Sequence, residues 1–450
     1  MGDIAVPIVN NLLLMKEFIL KGLRLLASRK AAAVISGVVL AVTLTYRATR
    51  RRNRLRERFS GPSRLSSPQF LPLLGYVPRS LDQFFTALEM YAETYGDIYC
   101  IKFMGMQVLV VSSPELVRQV LKERPNAYVR AFNKHNVIPI PGLLTMEGEI
   151  WKRNRRLCSP AFNEKNSDRD GATHIASDSK TDSPVGVPRF VPRMRLPPMT
   201  RNKFPWNLNP RIKNFYSSLE KLNKMWDEVT RERRAEREAG GEERFDLLDK
   251  LLHLTDEELK GNLTIFLAAG FETTAMTIAW CFYYLSLYPD VQAKARAEVD
   301  NLGHDPEDGE DLSKLPFVQP PGFFLLHECI SKTTLAGEEI PPGTMVATLL
   351  HKAMICKEEG GTEFKPDRWI LPNGEGIDTV RLRSHFAFGG GPRECPGKHL
   401  AIREGMMVVA TILRHFDGIK ANSDISKVHG RTRFVQAVEG LELKMNPRSV

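Results

Sequence analysis

FAFGGGPRECPGKHLAIRE, Phe386–Glu404, is the stretch on which the reading of this chain turns. Gly389, Gly390 and Gly391 lead into a single cysteine, Cys395. Glycine reaches backbone angles closed to other residues, so such a run lets a large flat ligand approach the main chain. Pro392 removes one backbone donor, and Pro396 stiffens the residue after the sulfur. Gly397 should open a helix over Lys398 to about His415, with Leu400, Met407, Val408 and Ile412 as its apolar residues. A cysteine just ahead of a helix sits where N–H groups and the helix dipole favour a thiolate. Arg393 adds a fixed positive charge two residues upstream. A thiolate so placed suits an anionic metal cofactor. A lone loop cysteine is more commonly a small buried apolar residue, and zinc would need companion cysteines.

Phe388, Gly391, Arg393, Cys395 and Gly397 fill every position of F-x-x-G-x-R-x-C-x-G, and in this the chain resembles the cytochrome P450 family. Ala401 and Glu404 resemble the start of that family's proximal helix. The resemblance implies that Cys395 is the axial metal ligand of haem b (iron protoporphyrin IX). It implies that Arg393 pairs with a propionate and that Phe388 shields the sulfur. A Cys-Pro dipeptide by itself could equally be a weak haem-sensing site.

Bulk composition sets the frame around this motif. The chain has 450 residues and 42% apolar content, enough for one large domain with a sizeable core plus an anchor, or for two small domains. Its six cysteines are scattered without C-x-x-C pairs, which fits neither a disulfide scaffold nor zinc and suits a reducing compartment. The net charge of +10 is concentrated in arginine near the N-terminus and speaks first of a membrane surface. A nuclear or nucleic-acid patch is the weaker reading of those arginines, because they adjoin an apolar segment.

That segment, 31–46, is uncharged and reads as a transmembrane anchor, short for a bilayer but flanked by Lys and Arg able to snorkel. Residues 1–30 mix apolar and charged side chains, as an amphipathic piece or an organellar presequence would. The arginine excess beyond residue 46 puts the catalytic domain in the cytosol, on the endoplasmic reticulum membrane, with an organellar membrane as the alternative. Residues 47–75 form a basic and proline-rich linker, with Pro62, Pro68 and Pro72 making it semi-rigid. The domain proper is 76–450, interrupted at 166–195 by a Ser-, Asp- and Pro-rich insert of disordered or atypical character.

Within the domain, Leu81–Tyr95 has helical spacing, Ile98–Ser112 reads as a hairpin, and Ser113-Pro114-Glu115 starts a helix to about Lys122. Trp151 and Arg155, four apart and so on one helix face, resemble the family's W-x-x-x-R propionate pair. The same spacing occurs on many plain surface helices. Arg211–Ala239 is a charged amphipathic helix stopped by Gly240-Gly241. Thr255 should cap the next helix, with Glu258 closing a capping box. That helix runs apolar to about Tyr288 and is expected to be buried. In its middle Ala269-Gly270-Phe271-Glu272-Thr273-Thr274 resembles the family's oxygen-activating motif. Ala269 and Gly270 would leave room at the haem, Thr273 would bond iron-bound oxygen, and Glu272 would feed protons. A threonine-capped bend in a core helix is the bland alternative. Asn262-Leu263-Thr264 is a glycosylation sequon expected to stay unmodified.

The pattern breaks at the family's E-x-x-R helix. Leu315–Gln319 resembles its approach and Pro320-Pro321-Gly322 the segment just after it, with nothing between. The downstream partner Arg368, in Phe364–Trp369, would then be buried without its carboxylate, at a cost of roughly 3–5 kcal/mol. His327 stands where an arginine commonly meets a propionate. The fold expected is mainly α with small β-sheets, a cytochrome P450 fold left incomplete at that helix.

The resemblance implies a haem-thiolate monooxygenase that inserts one atom of O2 into an apolar small molecule, with lipid-like compounds as one candidate class. Electrons would come from NADPH through cytochrome P450 reductase or a similar flavoprotein. Lys152, Arg153, Arg156, Lys398 and Arg403 would guide that acidic partner, or be ordinary solvated charges. Phe266, Ala269, Thr273, Phe323, Phe324 and Phe434 are candidate pocket linings. No nucleic-acid partner is expected. A haem-thiolate isomerase or dehydratase, and a catalytically impaired membrane-anchored remnant, are the alternatives.

Overall fold

A computed structural model describes residues 70–71, 75–76, 81–103, 106–131, 140–162, 210–244, 246–304, 325–354, 363–373, 376–382, 385–432 and 436–448. The chain divides into units 1–60 and 61–450, and every described residue lies in the second. The segments 1–30 and 31–46, most of the linker 47–75, the insert 166–195 and the break at 315–322 lie outside the described residues.

Two short strands, β1 (Phe70–Leu71) and β2 (Gly75–Tyr76), precede helix α1 (Leu81–Tyr95). Buried Phe84, Ala87, Leu88, Tyr91 and Ala92 recur at helical spacing along α1. Gly96 ends it in the left-handed region, its N–H donating to the Ala92 carbonyl at 3.0 Å. Strands β3 (Ile98–Phe103) and β4 (Met106–Val111) form the expected hairpin. Helix α2 (Pro114–Lys122) follows, with Pro114 in its first turn and the Ser113 hydroxyl accepting the Leu116 N–H at 3.3 Å.

Next come β5 (Tyr128–Arg130), α3 (Gly148–Cys158), α4 (Pro210–Glu238), α5 (Leu247–Leu251), α6 (Asp256–Leu287) and α7 (Pro289–Leu302). Strands β6 (Leu325–Cys329), β7 (Thr333–Leu335), β8 (Glu338–Ile340) and β9 (Met345–Thr348) lead to short helices α8 (Leu350–Met354) and α9 (Thr379–Leu382). Helix α10 (Lys398–His415) and strands β10 (Phe416–Ala421), β11 (His429–Thr432), β12 (Gln436–Glu439) and β13 (Leu443–Pro447) complete the order. The architecture is mainly α with small β-sheets, as expected.

The largest sheet runs β1-β2-β3-β4-β9-β6-β5, and β10-β13, β11-β12 and β7-β8 are two-stranded. Helix α1 covers one end of the large sheet through Leu88, Tyr91, Tyr99, Ile101, Val110 and Ala347. A second core joins α6 and α7 to α10 through Phe282, Leu285, Val299, Val409, Ala410 and Leu413. Each of the Phe, Leu and Val side chains contributes about 1.5–3 kcal/mol on full burial. A third joins α3, α5 and α6 through Trp151, Cys158, Leu251, Leu259 and Leu263.

Helix α10 forms over its expected bounds, with Met406, Val409, Ala410 and Leu413 as its buried residues. Leu400, Met407, Val408 and Ile412 are half-buried. Both sets obey helical spacing, and the partners α6 and α7 choose between them. Helix α6 is not buried along its length. Its first turns and the region of Phe282 and Leu285 are packed, whereas Leu267, Gly270 and Phe271 between them are exposed, Phe271 by 66%. Among the described residues it is the one helix long and apolar enough to cross a membrane. Finally, Thr255 caps α6 by accepting the Glu258 N–H at 3.4 Å, but the Glu258 carboxylate pairs with Arg153 and not with the cap.

Candidate functional site

The Cys395 loop is built by glycines at two positions and not three. Gly389 and Gly391 have φ of +77° and +65°, while Gly390 is extended. A Cβ on Gly391 would lie 2.1 Å from the Leu121 carbonyl oxygen, so this glycine lets the loop seat against α2 rather than against a ligand. The Cys395 N–H donates to the Phe388 carbonyl at 2.9 Å and closes the loop. Gly397 follows in the N-cap position of α10, with open space where a Cβ would stand.

Cys395 is exposed at the surface of this loop yet ringed by protein, and burial pushes its thiol above the ordinary value. The Gly397 N–H and the Arg155 and Arg130 guanidiniums act in the opposite sense, and Glu394 with burial. A cation bound to sulfur would favour the thiolate in the same sense as those donors.

Helix α3 faces the loop with Trp151 and Arg155 one turn apart. Trp151 is buried, and the Arg393 guanidinium lies over its ring at 3.8 Å from the centroid. Arg155 is half-buried; burial lowers its pKa, and the nearby Cys395 and Glu394 counter that.

The sequence did not single out the groups that surround Arg393. Arg124, in the turn after α2, and Arg130, on β5, join it in a cluster of cations. Arg124 and Arg393 are almost fully buried. Burial, and then Arg124 and Arg130, pull Arg393 down to about 8. Burial and then Arg130 bring Arg124 to about 9, and burial brings Arg130 to about 10 against the pull of Cys395. All three stay charged at neutral pH. Glu147 is the carboxylate among them, paired with Arg393. The Met146 carbonyl accepts from Arg393 at 2.9 Å and the Leu144 carbonyl from Arg130 at 3.2 Å.

Several buried donors of this cluster have no hydrogen-bond partner among the described residues: Arg124 Nε and Nη2, Arg130 Nε, and Arg393 Nε and Nη1. An unmet buried donor costs roughly 1–3 kcal/mol. His327 on β6 is fully buried beside them, its Nε2 at 3.3 Å from the Thr348 hydroxyl and its Nδ1 without a partner. Burial, then Arg124 and Arg130, hold His327 well below its usual pKa and so neutral. Only the fold could reveal the cluster. Arg124, Arg130 and Glu147 belong to no local pattern and come from three separate segments.

On α6, the Thr273 hydroxyl donates to the Ala269 carbonyl at 2.5 Å, the back-bond of a threonine inside a helix. Glu272, next to it on the same helix, is half-buried. Space is open around Gly270. Phe266 stacks on Phe162 at 4.8 Å and belongs to the core beside α3 rather than to an open lining. Phe323, Phe324 and Phe434 lie outside the described residues. Asn262 of the sequon is fully buried, accepting the Leu143 N–H at 2.8 Å and donating to Asn154 at 2.7 Å. Arg368 is not the buried, stranded cation expected. It is half-buried and donates to the carbonyls of Lys365 and Glu363 at 3.2 and 2.8 Å.

A cysteine ahead of a helix, beside guanidiniums with unspent donors, fits a flat dicarboxylate cofactor whose metal takes sulfur; this is the arrangement of a haem-thiolate protein. The chain belongs to the cytochrome P450 family, whose model matches residues 65–176 and 191–445. It is 25% identical to a cytochrome P450 of Caenorhabditis elegans, covering 85% of this chain and 93% of that protein. It is 26% identical to cyclooctat-9-en-7-ol 5-monooxygenase of Streptomyces melanosporofaciens, over 77% and 88% of the two chains. It is 32% identical to the bifunctional cytochrome P450/NADPH–P450 reductase ALT2 of Alternaria alternata, over 56% of this chain and 25% of that one. The nematode alignment runs over 495 positions, more than the 450 residues here, so that relative carries residues with no counterpart in this chain. Family membership makes the protein an oxidoreductase of the monooxygenase type with haem as its implied cofactor.

Proposed function

We propose that the chain would hold haem b with Cys395 as the metal ligand and insert one oxygen atom from O2 into an apolar, lipid-like small molecule. The observation that carries this reading is the set of unspent buried guanidinium donors beside Cys395. Two propionates would satisfy them and lift the desolvation cost. Arg393, Arg124, Arg130 and Arg155 would hold the carboxylates, and neutral His327 could add one hydrogen bond through Nδ1. Trp151 would keep Arg393 flat, while Phe388, Gly391 and Gly397 would shape the loop around the sulfur.

Bound haem with a thiolate ligand supplies oxygen activation and O–O cleavage. The protein's part is placement and protons. Ala269 and Gly270 would leave room on the open side of α6. Thr273 could release its bond to Ala269 and offer its hydroxyl as a hydrogen-bond donor beside α6, and half-exposed Glu272 would relay protons from solvent. The exposed apolar residues Leu267 and Phe271 suit an apolar substrate.

Electrons would come from NADPH through a cytochrome P450 reductase or similar flavoprotein; the fused fungal relative supports a partner of that kind. Lys152, Arg153 and Lys398 already pair with Glu149, Glu258 and Glu394, so the basic face would have to exchange partners on docking. The segment 31–46 would anchor the chain in the endoplasmic reticulum membrane, with 47–75 as linker and 76–450 as the cytosolic haem domain.

A reduced carbon monoxide difference spectrum tests the reading. A Soret band of thiolate-ligated haem that vanishes in Cys395→Ala is expected. Colourless protein after haem supply, or a spectrum unchanged by Cys395→Ala, overturns it. The second reading, an impaired remnant, is favoured by the direct junction of Gln319 with Pro320. It predicts a band of neutral or lost sulfur ligation. NADPH-dependent turnover separates the monooxygenase from an isomerase or dehydratase.

A further inference from the structure

Glu147 occupies the N-cap position of α3, yet its side chain makes no cap to the helix. A carboxylate at that position ordinarily accepts N–H groups of the first turn. Here it turns away. Its Oε1 accepts the Arg130 backbone N–H at 3.1 Å and lies 4.0 Å from Arg124 Nη2. Its Oε2 pairs with Arg393 Nη2. One carboxylate thus touches three segments: the turn after α2, strand β5 and the Cys395 loop.

Other acidic groups nearby are engaged elsewhere. Glu123 accepts from Gln119 and Thr333, and Glu394 pairs with Lys398. Among the described residues, no second carboxylate pairs with Arg124, Arg130 or Arg393. Three guanidiniums against one carboxylate leave two positive charges. The donors left over, Arg124 Nε and Nη2, Arg130 Nε and Arg393 Nε and Nη1, are not the Arg393 donor that Glu147 uses.

We propose that Glu147 is the resident counter-charge of the cofactor seat, a positioning residue that gathers Arg124, Arg130 and Arg393 and leaves them net positive for the propionates. The inference rests on the haem reading above and deepens it. Like charges packed together in a low-dielectric site repel strongly, so the cluster needs one permanent anion before the cofactor arrives. Glu147 fills that need through one Arg393 donor and leaves Arg393 Nε and Nη1 without a hydrogen-bond partner.

The test uses the full-length chain purified without haem and titrated with hemin and with hemin dimethyl ester, whose propionates carry no charge. Glu147→Gln should lower the melting midpoint of the haem-free protein. It should also raise the preference for hemin over the ester by about tenfold, because one more positive charge faces the carboxylates. Glu147→Asp should keep the midpoint and the ratio near wild type. Removing one cation in Glu147→Gln/Arg124→Met should restore both, including foldedness if the single variant does not fold. A wild-type ratio in Glu147→Gln, or no restoration in the double variant, overturns the inference while hemin uptake by wild type leaves the haem reading standing. Failure of folded wild-type protein to take up hemin sinks both.

Discussion

The Arg393 guanidinium lies over the Trp151 ring, its carbon 3.8 Å from the ring centroid, with both side chains buried. The aromatic face covers one side of the guanidinium, and Glu147 pairs with one of its corners. What remains free to bond is therefore determined by two residues that the Cys395 loop does not contain.

Replacing Trp151 separates packing from cation–π attraction. Trp151→Phe keeps a ring and should cost about 1–2 kcal/mol, whereas Trp151→Ala should cost about 3–5 kcal/mol. Urea unfolding of the two variants checks the order, and haem retention should fall in the same order.

Two glycines of α6 should respond in opposite directions. A Cβ on Gly261 would lie 1.6 Å from the Pro141 carbonyl oxygen, so Gly261→Ala must push α6 off the 140–143 segment. A loss of several kcal/mol is expected, on the order of the worst overpacking costs. Gly270 meets nothing within 4 Å, so Gly270→Ala should stabilise the haem-free protein by about 0.8–1 kcal/mol through helix propensity. Thermal melts of both variants decide the matter.

Asn262 bridges the Leu143 N–H and the Asn154 amide from the interior of α6. Asn262→Leu would leave the Leu143 donor and the Asn154 oxygen buried without a partner. The expected cost is about 2–4 kcal/mol, since each unmet group costs about 1–3. A stability change under 0.5 kcal/mol in urea titration would contradict this.

His385 packs edge-on against Trp369 with ring centroids 5.2 Å apart. Burial, and then Lys398, lower its pKa to about 4. The folded state thus favours the neutral ring, while the unfolded chain binds a proton near the usual 6.5. Stability should be unaffected above about pH 6.5 and fall as pH drops toward 4, by up to about 3 kcal/mol from this group. His385→Phe should flatten that part of the pH–stability curve relative to wild type. An unchanged slope would show that His385 is not its source.

The loop at 386–397 was legible because its chemistry is local. Sulfur, glycines and arginine lie within a dozen residues, and helix α10 begins where Gly397 said it would. Helix ends and the β3–β4 hairpin were legible for the same reason, since Ser113, Gly96 and Thr255 act on neighbours a turn away. Which face of α10 turned inward was not, because Leu400, Met407 and Val408 satisfy the same period as Met406, Val409 and Leu413, and the partner helices choose. Nor was the exposure of mid-α6, which depends on what packs beside it. The gathering of Arg124, Arg130 and Arg393 around Glu147 lay furthest from view. Its members are separated by up to 269 positions, Arg124 to Arg393, and charge acts through space, so only the closed tertiary structure could bring the four groups together and leave their donors unspent.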